Sequence, residues 1–269
     1  MKSQFGKYQN LRFKASINKF MVLAFAFFCF TLLLTDFTSV QAQRPLTNQV
    51  SNRRVSFIQP PPRQGTPKGT VPAGSRGCPQ LTQKPMTALV PVTQQADGTQ
   101  LRWALTSEDH PTFWFYVPYE SQLISNAKFS LRDRTNQTLY ETTVTLTKTP
   151  GVIGISLPKT APRLENNQWY RLYLFTNISC QPNTPLEKDF AEAWVKREAL
   201  TPTLLSQLEK ATTLEKAILY AQNGIWSEAI ATVAELHRTN PQDTQWNSLL
   251  QSGGFQSFAN EPILEPITD

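Results

Sequence analysis

His110 follows Glu108 and Asp109 and precedes Pro111. An imidazole beside carboxylates has the parts for proton transfer or for holding a polar ligand. The same residues have the parts of a tight turn, in which Asp109 and His110 hydrogen-bond the backbone and Pro111 fixes φ. The turn is the preferred reading. The other histidine, His237, sits near a charged helix end, where it suits the helix dipole better than catalysis.

The next run, Phe113-Trp114-Phe115-Tyr116-Val117, offers different chemistry. In a strand, Phe113, Phe115 and Val117 face one side, and Trp114 and Tyr116 face the other. Rings on an outer face can stack on sugars or dock a protein. The alternative is that the C-terminal segment covers them. Residues 169–175 are two-sided in the same way, with Tyr170, Leu172 and Leu174 opposite Arg171, Tyr173 and Phe175. Candidate binding residues are therefore His110, Trp114, Tyr116 and Tyr173, with Trp169 a further stacking ring. No G-x-S-x-G elbow, H-E-x-x-H, P-loop, S-x-x-K or nucleotide fingerprint occurs. Catalysis is not expected, and neither is a cofactor. Nor is a metal expected, because the cysteines and two distant histidines lack ligand spacing.

These residues need a frame, and the first 42 residues say where it works. Lys2, Lys7, Arg12, Lys14 and Lys19 precede an apolar run of 15 residues, Phe20 to Leu34, and the segment ends Val40-Gln41-Ala42. That is the layout of a secretory signal, with cleavage expected after Ala42. An uncleaved anchor is the alternative, although a span needs about 20 apolar residues. Lipidation at Cys29 is not expected, because Phe27 and Phe28 precede it. The product should be exported, to the periplasm or the cell surface, with no stable membrane insertion after cleavage. The whole chain carries 26 basic and 20 acidic residues, and the leader holds five of the basic and one of the acidic, so the remainder is close to neutral. The basic balance is thus a property of the leader and argues against nucleic-acid binding.

Beyond the leader two cysteines remain, Cys78 and Cys180. In an exported chain they are expected to form a disulfide, the alternative being two free thiols. Residues 43–85 hold eight of the twenty prolines and read as a disordered or extended linker. A Pro-rich ligand for a partner is the second reading of that stretch.

Residues 86–200 carry short β-branched and aromatic runs separated by turn signals. Strands are expected at 87–92, 99–107, 113–118, 127–133, 138–147, 152–158, 169–178 and 189–197. With no helical period between them, the fold class is α+β: an antiparallel, immunoglobulin-like β-sandwich followed by a small helical domain. The stretch Leu164 to Tyr170 resembles the tyrosine corner of such sandwiches, with Tyr170 bonding back to the corner backbone. Residues 201–269 form the helical tail. Thr201-Pro202 starts one helix, the capping box Thr212-x-x-Glu215 starts the next, and a third runs from Trp226 to Arg238. A last helix surrounds Trp246, Leu249 and Leu250. The pattern Ala217, Tyr220, Gly224, Trp226, Ala229 and Pro241 resembles one tetratricopeptide-type hairpin, which cannot bury its apolar face alone.

Taken together, Gly74-Ser75-Arg76-Gly77-Cys78, Leu89-Val90-Pro91, His110 to Pro118, Gly154 to Pro158 and Tyr220 to Pro241 resemble an exported cyanobacterial family catalogued as domain of unknown function 928. The resemblance implies a strand-rich core with a helical tail and supplies no activity. The expected role is non-catalytic binding or assembly through an envelope protein partner. The alternatives are a carbohydrate-binding module for an envelope polysaccharide, and a hydrolase of unrecognised type around His110.

Overall fold

The computed structural model describes residues 53–61, 65–67, 77–95 and 97–267. The leader and its expected cleavage point lie outside them. Nine strands form two sheets: β1 (Thr87–Ala88), β2 (Val92–Gln94), β3 (Gln100–Thr106), β4 (Thr112–Val117), β5 (Ile124–Arg132), β6 (Thr138–Thr143), β7 (Gly151–Ser156), β8 (Trp169–Ile178) and β9 (Glu187–Arg197). One sheet has the order β1-β4-β7 and the other β2-β3-β9-β8-β5-β6. The expected strand 87–92 is split between the sheets. Its crossing point is Leu89-Val90-Pro91, where proline has no N–H to give to a ladder.

The sandwich is not wholly antiparallel. β3 pairs with β9 in parallel, from Trp103 opposite Trp194 to Thr106 opposite Arg197. Apolar alternation marks a strand but carries no direction, and here five other strands separate the two partners in sequence. Between the sheets, Phe113 stacks on Phe129 at 5.7 Å and Phe115 meets the same ring edge-on at 6.4 Å. Leu131, Leu172 and Leu174 are buried beside them.

Four helices form a third layer: α1 (Pro202–Lys210), α2 (Thr213–Gln222), α3 (Trp226–Thr239) and α4 (Gln245–Ser252). Thr201 caps α1 by accepting from the Leu204 N–H. Thr212 and Glu215 form the reciprocal capping box of α2. The layer lies on the back of the three-stranded sheet and shares its core. Trp246 meets Trp114 at 6.5 Å, and Phe258 meets Tyr116 at 4.9 Å. Gly154 makes room for this contact, since a Cβ there would stand 3.2 Å from the Trp114 ring.

The expected linker departs from its reading over 53–61. This stretch is extended, as its prolines require, but it is packed. The Val55 N–H donates to Gln245 Oε1 at 2.8 Å, and the Arg53 carbonyl accepts from Gln245 Nε2 at 3.2 Å. The Phe57 N–H donates to Ser252 Oγ, and the Ile58 N–H to the Ala221 carbonyl. Val55 and Phe57 are buried, the latter edge-on against Trp226 at 4.8 Å. Gly224, at φ +74°, both ends α2 and lets Pro60 approach, since a Cβ there would stand 2.8 Å from the proline ring. Composition suggested disorder because it counts only what a stretch buries against itself.

The far end of the chain is also a strap. Residues 263–267 run parallel to β7 with bridges at Val152–Ile263 and Ile155–Ile267. Three backbone hydrogen bonds hold them, including Leu264 N–H to the Val152 carbonyl and Ser156 N–H to the Ile267 carbonyl, and the Val152 N–H donates to the preceding Pro262 carbonyl. Cys78 and Cys180 are joined by a disulfide that closes 102 residues, with 5.6 Å between their Cα atoms.

Candidate functional site

His110 is committed to a turn. Nδ1 lies 3.0 Å from Asp109 Oδ1 and Nε2 lies 3.1 Å from the Ala161 carbonyl. Both ring nitrogens are thus engaged within the protein, one by a carboxylate and one by a backbone carbonyl. The bond from His110 holds the Asp109 carboxyl below its ordinary range, with Lys159 adding charge. The imidazole ties the loop before β4 to the loop after β7.

Trp114 and Tyr116, expected on an outer face, lie between the three-stranded sheet and the helical layer. They are 4% and 6% exposed, too little to present a stacking face. Burial, with Glu261 beside it, pushes the Tyr116 hydroxyl up to about 12. Sequence alternation separated the two faces of β4 correctly but could not say that both would be covered. At the corner, the Tyr170 hydroxyl accepts the Glu165 N–H at 2.7 Å.

Tyr173 lies elsewhere, on the outer face of the six-stranded sheet. No helix or further strand among the described residues is layered over β5 and β8 there. The Arg132 guanidinium stands 5.0 Å from the Tyr173 ring centre and the Arg171 guanidinium 4.9 Å. Phe175 stacks on Tyr173 at 5.1 Å, and Phe190 follows at 6.0 Å from Phe175. Arg171 Nη2 reaches both Glu192 oxygens, at 2.9 and 2.7 Å, and the guanidinium also covers Trp194 at 5.5 Å. The strand register explains the grouping, because Trp103, Trp194, Arg171 and Arg132 form one row across four strands. Burial and Glu192 push the Tyr173 hydroxyl up to about 12, so it stays a neutral donor and acceptor. Trp169 joins Trp103, Leu101 and Leu105 in a small apolar cluster at one end of this face. The face can therefore do recognition: fixed cations on aromatic plates, with half-buried rings around them.

Arg102 and Glu228 are charged groups set into the fold that no local sequence signal marks. Arg102 donates to the Ala88 and Val90 carbonyls at the crossover between sheets, and burial lowers it to about 10. Glu228 Oε1 accepts from Thr106 Oγ1 and from the Ser107 and Glu108 N–H groups, pinning α3 to the end of β3. Its second oxygen is buried without a partner, and burial pushes its carboxyl up to about 7. A Glu two places after a helix-opening tryptophan looks solvated in sequence, and no local signal marks it as buried. Among the described residues no cluster of His, Cys, Asp or Glu could hold a metal. No described helix is long and apolar enough to cross a membrane.

A family model described as Domain of Unknown Function (DUF928) matches residues 71–263. The chain belongs to the DUF928 family. That match spans the nine strands and four helices of the described residues, so both sheets and the helical layer belong to one DUF928 unit. Among curated proteins none matches the sequence significantly. Among solved structures, CopC from Methylosinus trichosporium OB3b is similar over 36% of this DUF928 chain and 87% of its own, at 13% identity and a TM-score of 0.26. A partial likeness at that score supports no conclusion about function.

Proposed function

We propose that this DUF928 protein is an exported, non-catalytic binding or assembly protein that works through contacts with another envelope protein. The observation that carries this reading is the outer sheet face, where Arg132 and Arg171 flank Tyr173 beside the half-buried rings of Phe175, Phe190 and Trp194. Arginine and aromatic residues are the types enriched where protein interfaces concentrate their energy. Export is supported by the basic and apolar leader and by the disulfide between the two cysteines beyond it. The hydrolase alternative has less support at His110, whose two ring nitrogens are both engaged within the protein. The carbohydrate alternative loses Trp114 and Tyr116 to the core. On the outer face it is left with Trp169, 5% exposed in the Trp103 cluster, and Tyr173, 7% exposed between two guanidiniums.

The test is photo-crosslinking from position 190 or 194 in the native envelope, followed by mass spectrometry. A reproducible protein partner, lost on combined Arg132→Glu and Tyr173→Ala substitution, is the expected result. Retention on envelope polysaccharide with no protein crosslink would reverse the reading.

A further inference from the structure

The packed strap over 53–61 places two arginines beside a cleft of about 630 Å³ between the strap, α1 and α2. Its apolar lining includes Ile218 and Leu219. Arg53, Arg54 and Lys210 stand around it, from the strap on one side to the end of α1 on the other. The arginines are not loosely placed. Gln245 grips the strap through both its oxygen and its nitrogen, at Val55 and Arg53, immediately beside the cleft. The cleft holds one carboxylate, Glu215, which already accepts from the Thr212 N–H and hydroxyl at 2.9 Å each. Those bonds to Thr212 hold Glu215 below its ordinary range, with Arg53 nearby adding its charge. Arg54 and Lys210 have no ion pair with any described residue. The cleft therefore carries surplus positive charge over an apolar floor.

We propose that this cleft is a binding site for an acidic, aliphatic peptide segment of a protein partner. The assignment rests on the protein-contact reading given above and deepens it by naming the partner's chemistry. Volume places the site among those that take a few residues of chain and not a folded domain. Charge complementarity selects carboxylate side chains for the rim, and Ile218 and Leu219 select an aliphatic side chain for the floor. Gln207 and Gln222 also line the cleft. Each amide offers both a donor and an acceptor, which match a peptide backbone and have no counterpart in a simple alkyl carboxylate. Residues 53–54 thus act as part of a receptor, delivered to it by the anchored Val55 and Phe57.

The experiment uses the chain from residue 43 to 269 and a fluorescein-labelled peptide of alternating Glu and Leu, read by fluorescence anisotropy. Its counterpart with Lys in place of Glu, and decanoate, serve as comparison ligands. Saturable binding of the acidic peptide is expected, with no binding of the Lys peptide. Arg54→Glu with Lys210→Glu should weaken it by about tenfold or more, as expected when fixed cations carry the recognition. Both residues are exposed, so melting curves should superpose. Should the variant melt lower, a salt titration on the unaltered chain reads the same electrostatics, and the affinity must fall as salt rises. Equal binding by the variant, equal binding of the Lys peptide, salt-independent affinity, or displacement by decanoate at matching concentration would each overturn the proposal. Envelope crosslinks from position 190 or 194 without peptide binding would overturn the cleft and leave the protein-contact reading standing. Absence of any crosslinked protein overturns that broader reading whatever the peptide does.

Discussion

Glu228 is the residue whose chemistry is furthest from its sequence appearance. Its folded-state pKa is raised to about 7, chiefly by burial, with Glu108 adding repulsion against the bonds from Thr106 and Glu108 N–H. Below the ordinary glutamate range, folded and unfolded chains both carry the proton and nothing is lost. As pH climbs from the unfolded value toward 7, the unfolded chain releases its proton first, and the folded state loses stability. The loss is complete above the folded value. At 1.36 kcal/mol per unit it is of order 3 kcal/mol. Glu228→Gln keeps an oxygen for Thr106, Ser107 and Glu108 while removing the charge. It is expected to raise the melting temperature at pH 8 and leave it nearly unchanged at pH 4. Calorimetry at both pH values checks this, and equal shifts at the two would remove the titration argument. Tyr170 makes a smaller, pH-independent case. Tyr170→Phe leaves the buried ring and removes the acceptor of the Glu165 N–H, for an expected loss of about 1 kcal/mol in denaturant titration.

Strand β4 is covered on both of its faces. Its two aromatic faces serve two layers, Phe113 and Phe115 toward the large sheet and Trp114 and Tyr116 toward α4 and the following turn. Trp114→Ala should open a cavity between sheet and helix and destabilise by about 3 to 5 kcal/mol. It should leave partner crosslinking from position 194 intact under conditions where the variant is folded, because that position lies on the opposite side of the molecule's core. Loss of the crosslink in a folded variant would place the contact surface near β4 instead. Most strands and all four helices were legible, because period-2 alternation, the Thr201 and Thr212 caps and Gly224 are local signals. The parallel pairing of β3 with β9 was not, since pairing direction is decided by chain crossing and not by side-chain order. The candidate face was half legible: alternation separated Arg171, Tyr173 and Phe175 from the core residues of β8. Arg132 and Glu192 joined them only through strand register, which no single segment encodes.

For the whole molecule, the disulfide and the two straps tie distant parts of the chain together. Reducing the Cys78–Cys180 bond frees a closure of 102 residues, for which chain-entropy models give about 4 to 5 kcal/mol. Melting of fully oxidised protein with and without reductant should differ accordingly, and superposed curves would show that the bond adds no stability. The straps escaped sequence reading for a common reason. Residues 53–61 and 263–267 have no periodic pattern of their own, and each is ordered only by a surface built from other segments.

That arrangement sets the order in which the fold can be completed. The receptor for Val55 and Phe57 includes Gln245 and Ser252, which lie 190 and 195 residues further along. During synthesis the strap therefore emerges long before the groove that holds it, and β7 waits in the same way for Ile263 and Ile267. Contacts of such separation make folding slow, because the chain must close its longest loops before they bring any gain. Neither strap can pack until the segments that build its receptor are present, so both ends of the described fold depend on distant parts of the chain.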